Sequence, residues 1–147
     1  MRKRLETINK VLNLKEQQEE EIGIEVKNML DQVHIKQQRL LSLEEAYNET
    51  QDTFMSKQMD GTLALQEMGI YQSYLFHLQM EMDNQKAEIA RALVALDARR
   101  DALMEAHKET RLMEALKERK EKENAREDMR QERKEMDSLF LSQRKDH

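Results

Sequence analysis

The chain has 147 residues, of which 37% are charged and 4% aromatic, with a net charge of −5, three glycines, no proline and no cysteine. This composition excludes a disulfide framework and a thiolate metal site, and it is too charged and too poor in aromatic residues for an ordinary compact core. The 25 basic and 30 acidic residues are dispersed so that no region is strongly basic, and the electrostatic footprint of a nucleic-acid binder is missing.

Met1-Arg-Lys-Arg leads into Leu5-Glu-Thr-Ile rather than an apolar run, so no secretory signal is expected. No stretch approaches the roughly 20 apolar residues that a membrane span needs. The abundant residues are Glu, Lys, Gln, Leu, Met, Arg and Ala, all good helix formers, and the absence of proline lets helices run long. A first helix is predicted over about residues 3–56. Its apolar residues recur every seven positions through Leu5, Leu12, Glu19, Val26, Val33, Leu40, Tyr47 and Phe54, with only Glu19 polar. A patchier companion series runs through Ile8, Lys15, Ile22, Met29, Lys36, Leu43 and Thr50. A stripe of this period calls for a partner helix.

The pattern breaks between about residues 57 and 64, where Asp60-Gly61-Thr62 is the strongest turn signal. Thr62 is placed to cap the next helix. That helix is predicted over about residues 65–141, with a stripe at Met68, Leu75, Met82, Ile89, Leu96, Leu103 and Thr110. Its companions are Tyr71, Leu78, Gln85, Ala92, Arg99, Ala106 and Met113. Two long helices joined by a short turn run antiparallel. The expected fold is therefore all-α: a single antiparallel coiled-coil hairpin, with Tyr47 near Leu75, Leu5 near Lys117, and the C-terminal helix overhanging. In that overhang 15 of the 19 residues from Lys117 to Glu135 are charged. Glu118–Lys122, Lys117–Glu121 and Arg119–Glu123 are spaced to support it, and Met129, Met136, Leu139 and Phe140 follow.

Nothing in the chain resembles catalytic machinery. There is no glycine-rich phosphate loop and no HExxH motif. His34, His77, His107 and His147 are scattered, and His77 with Glu81 supplies only two groups where zinc needs three or four. A non-enzyme with no cofactor, no metal, no nucleic-acid partner and no small-molecule substrate is expected. Five of the six aromatic residues, Tyr47, Phe54, Tyr71, Tyr74 and Phe76, lie near the turn. At about 100° per residue Leu75, Leu78 and Met82 share a face with Tyr71, Tyr74 falls on its flank, and Phe76 and Met80 fall on the outer face. Phe76 and Met80 are thus a candidate exposed apolar contact.

The run Tyr71-Gln-Ser-Tyr74-Leu-Phe-His-Leu78 followed by Gln85, the segment Leu116-Lys-Glu-Arg119 leading to Arg133-Lys-Glu-Met136-Asp137, and the glutamate-rich stretch from Leu5 to Glu21 resemble the FliJ family of the flagellar type III export apparatus and its injectisome counterparts. The resemblance spans nearly the whole chain. It implies an antiparallel coiled coil similar to the central shaft of rotary F-type ATPases. It implies a cytoplasmic protein, peripheral to the cytoplasmic membrane and monomeric when free, that binds and stimulates the export ATPase (FliI-like), contacts the export gate membrane protein (FlhA-like) and meets export chaperones. The implied gate-binding residues are Tyr74, Leu78 and Gln85, with Leu43 and Tyr47 on the first helix; Glu81 departs from the small residue that the family carries. The end bearing both termini is implied to engage the ATPase, and Arg126, Arg130, Arg133 and Asp137 are the candidates there. Two alternatives are a self-associating structural coiled coil and an export chaperone using Met55, Met59, Met68, Met80 and Met82.

Overall fold

The computed structural model describes residues 2–145, with side chains from Lys3 to Arg144. Two helices, α1 (Arg2–Met59) and α2 (Leu65–Lys145), account for all of it except a short connection. They pack against each other as a helical hairpin. α1 continues past residue 56 and α2 past residue 141, so both helices are longer than the sequence pattern suggests.

The end of α1 is set by Gly61, whose φ of +66° is open to glycine and strained for other residues. The Gly61 N–H donates to the Gln58 carbonyl at 3.3 Å and the Asp60 N–H to Ser56 at 3.1 Å, which satisfies carbonyls that the helix itself leaves open. Thr62 does not cap α2 as its position suggests. Its hydroxyl turns back toward the Lys57 carbonyl at 3.5 Å. The Met68 N–H donates to the Ala64 carbonyl at 3.1 Å, which makes Ala64 the N-cap of α2. Leu63 and Met68, both half-buried, occupy the positions of a hydrophobic staple across that start.

The chain divides into two compact units: a turn unit, Gly23–Asp101, and a termini unit made of Met1–Ile22 with Ala102–His147. Within the turn unit Val33 of α1 and Leu78, Met82, Ile89 and Leu96 of α2 are buried, Leu96 being only 1% exposed. Within the termini unit Leu12 and Ala106 are buried, and Leu5, Ile8, Leu103 and Met113 half-buried. Every position of the heptad series on both helices is buried or half-buried. Hydrophobic burial along this narrow seam, rather than a thick core, drives the pairing.

Candidate interaction surfaces

The polar residues that interrupt the heptad series are used rather than merely tolerated. In the turn unit Lys36 reaches Glu88 at 3.4 Å, and Arg99 donates through Nε to Glu25. These two pairs are eleven residues apart along α1 and eleven back along α2, so they hold one antiparallel register. Gln85, buried in the seam, donates from Nε2 to the Lys36 carbonyl at 3.0 Å. A buried amide without that partner would be costly. Arg99 holds the Glu25 carboxyl below its ordinary pKa, mainly through their hydrogen bond.

In the termini unit Lys15 meets Glu109 at 2.8 Å. His107 Nδ1 lies 2.6 Å from Glu19, while Arg111 Nε donates to His107 Nε2 at 3.3 Å. The imidazole thus lies between a carboxylate on one ring nitrogen and a guanidinium on the other. The hydrogen bonds from His107 and then Thr110 hold Glu19 below the usual carboxylate range. These are ion pairs and hydrogen bonds at a seam edge. Among the described residues no three His, Asp or Glu side chains converge to hold a metal ion.

Near the turn, Phe54 and Tyr71 pack with ring centroids 5.5 Å apart, and the Lys57 ammonium sits 5.4 Å from the Tyr71 centroid. Lys57, Glu67, Ile70, Tyr71 and Tyr74 line an open cleft of about 350 Å³. Tyr74 is 47% exposed at its edge, and Leu43 and Tyr47 are half-buried on α1. Phe76 and Met80, on the outer face of α2, are 68% and 50% exposed.

The last part of the termini unit is a helix without cover. From Ala125 to Arg144 every residue of α2 is exposed, including Arg126, Arg130, Arg133 and Asp137. Met129, Met136, Leu139, Phe140 and Leu141 are each at least 59% exposed. Glu118–Lys122 at 3.4 Å and Arg119–Glu123 at 3.6 Å form as their spacing suggests. Glu123 takes its second partner from Lys120, and Lys117–Glu121 is not formed. Such exposed pairs each contribute a few tenths of a kcal/mol to the helix. Arg144 stacks 5.8 Å from the Phe140 ring.

The family model of the flagellar FliJ protein matches residues 3–145. The chain belongs to the FliJ family. No curated protein and no solved structure gave a match. FliJ membership makes the chain a component of the flagellar export apparatus, of a structural and regulatory rather than catalytic family. No helix among the described residues is long and apolar enough to cross a membrane. The resemblance to the FliJ family implies Leu78 and Gln85 in gate binding, and the fold places both in the seam. Leu78 is 4% and Gln85 6% exposed, because both occupy seam positions facing α1. Of the residues implied on α2, Tyr74 alone presents substantial free surface. The tie between Gln85 and the α1 backbone escaped the sequence reading, although a lone amide at a heptad position is itself a signal that something across the seam receives it.

Proposed function

We propose that the chain is the stalk component that binds and stimulates the flagellar export ATPase through its termini unit, contacts the export gate through its turn unit, and couples the two. What supports the reading, beside family membership, is the uncovered part of α2: a helix exposed on every side from Ala125 to Arg144 that still carries Met129, Met136, Leu139 and Phe140. An isolated helix gains little from propensity alone, and apolar side chains on it are stabilised when a partner covers them. Arg126, Arg130 and Arg133 offer forked donors suited to carboxylates on an ATPase ring, and Asp137 an acceptor. At the gate Tyr74 makes the contact, with Leu43 and Tyr47 beside it; Leu78 and Gln85 act by holding the seam beneath. Export chaperones would meet the same chain.

The test is the mass in solution of the chain alone and mixed with the cognate export ATPase, by light scattering. A monomer near 17.6 kDa that enters a complex with the ATPase is expected. A stable dimer that forms no such complex would favour a self-associating structural coiled coil. For the gate, Tyr74→Ala should weaken binding to the gate's cytoplasmic domain with helicity unchanged, whereas Leu78→Ala should lower stability itself.

A further inference from the structure

We infer that the turn unit carries, on the side of its seam away from Tyr74, a groove that takes an amphipathic helix of a partner protein flanked by lysine or arginine. The ion pairs Lys36–Glu88 and Glu25–Arg99 fix which residues of the two helices stand level. In that register Met59 lies across from Leu65, Met55 from Gly69, Asn48 from Phe76 and Leu41 from Asp83. Heptad geometry puts Leu41, Met55, Gly69 and Phe76 on one side of the pair, and Glu67, Ile70 and Tyr74 on the other. Leu41, Met55, Met59, Leu65 and Phe76 are 51%, 56%, 91%, 89% and 68% exposed. Gly69 presents bare backbone among them, with open space where a side chain would stand. A glycine inside a helix weakens it, and no neighbour within the chain requires one here; a backbone approaching from outside does. The positions nearest the seam on this side are glutamines, Gln51 and Gln58 of α1 and Gln72 and Gln79 of α2. They floor the groove with uncharged amides that can both donate and accept. From Leu41 to Met59 the groove runs about 27 Å, at about 1.5 Å per residue.

Charge selects the occupant. The termini unit holds 17 basic and 17 acidic residues, so the whole net charge of −5 falls on the turn unit. Between Arg39 and Lys86 stand eight carboxylates and a single lysine, Lys57. Lys57 lies on the other side, against the Tyr71 ring and in the cleft with Glu67 and Tyr74. Glu45 and Asp52 follow the α1 rim of the groove, and Asp60 and Asp83 close its two ends. None of these four makes an ion pair among the described residues. Lys86 stands beyond Asp83, outside the groove. A helix with one apolar face and lysine or arginine beside it complements this field, and an acidic helix opposes it. A second copy laid on through the same groove would set carboxylate against carboxylate. An anionic lipid surface would meet the same repulsion. The groove is separate from Tyr74 and independent of the assignments to the gate and the ATPase.

The test uses the full-length chain and two labelled synthetic three-heptad peptides with Leu at a and d, one carrying Lys and the other Glu at e and g. By fluorescence anisotropy the basic peptide should bind and the acidic one should not. Met55→Ser and Phe76→Ser, both at exposed positions, should keep full helicity and weaken binding at least about tenfold. Gly69→Gln should raise thermal stability yet weaken binding, because its side chain fills the approach. Asp52→Lys combined with Asp83→Lys should shift the preference to the acidic peptide. Glu114→Lys combined with Glu132→Lys, the same change of charge in the termini unit, should leave the preference as it was. The proposal is overturned if neither peptide binds, if both bind alike, or if Gly69→Gln and Phe76→Ser bind as the unaltered chain does. It is also overturned if the termini-unit pair removes binding as fully as the groove pair. Loss of self-association or of phosphatidylserine-vesicle binding on Phe76→Ser, in place of loss of peptide binding, overturns it as well.

Discussion

Replacing Leu96 with alanine is the sharpest test of the pairing between the helices. Leu96 is 1% exposed, the most deeply buried side chain described. Truncating a buried leucine costs about 2–5 kcal/mol, made up of lost transfer free energy and the cavity left behind. A seam between only two helices closes or hydrates more easily than a thick core, so about 2–3 kcal/mol is expected here. For a chain of this size that lowers Tm by roughly 6–12 °C. The comparison is Leu93→Ala, three residues earlier and 40% exposed, for which less than about 1 kcal/mol is expected because half-exposed truncations lose little burial. Thermal and urea unfolding of the two variants, followed by circular dichroism, gives both numbers. Equal destabilisation by the two changes would refute the assignment of Leu96 to the seam.

Three further expectations concern the seam and the turn. Gln85→Ala removes the hydrogen bond to the Lys36 carbonyl and should lower stability by about 1 kcal/mol, read as a reduced urea midpoint at constant m; a cost no greater than that of Asn84→Ala, on the exposed face, would argue against a seam role. Glu19 and Glu25 are both held below the usual carboxylate range, chiefly by hydrogen bonds from His107 and Arg99 respectively. Their folded pKa values are depressed, so the stability they add is complete above the unfolded value and is lost as pH falls through the folded one. Thermal stability should therefore drop as pH falls below about 4.5, more shallowly in Glu19→Gln and Glu25→Gln, and an unchanged profile in both variants would contradict it. Gly61→Ala and Gly69→Ala should act in opposite directions: the first forces a side chain into positive φ and destabilises by about 1 kcal/mol, while the second, helical with open space around it, stabilises by about 0.5–1 kcal/mol.

The heptad series made the two helices and their covered faces legible in the sequence, because burial on a two-helix seam depends on little except period. Leu96 and Val33 fall where a step of seven puts them, and so do the polar exceptions Lys36 and Arg99. What periodicity does not carry is the partner of each polar exception. Gln85 looks like a break in the stripe until the Lys36 carbonyl is seen opposite it. The family resemblance pointed to Leu78 and Gln85 as surface, yet both are buried, because the resemblance transfers residue types and not the face each one turns to solvent. Thr62 shows the same limit at the turn: a hydroxyl beside Gly61 serves either helix end, and the left-handed glycine gives it to α1.

The most direct measurement is the hydrolysis rate of the cognate export ATPase, alone, with the full chain, and with a chain carrying Arg126→Glu, Arg130→Glu and Arg133→Glu. These three side chains are exposed on the uncovered part of α2, so the variant should keep its helicity. The account predicts that the unaltered chain raises the rate and that the variant, folded and helical, does not. A rate unchanged by the unaltered chain, or raised equally by both, would contradict it.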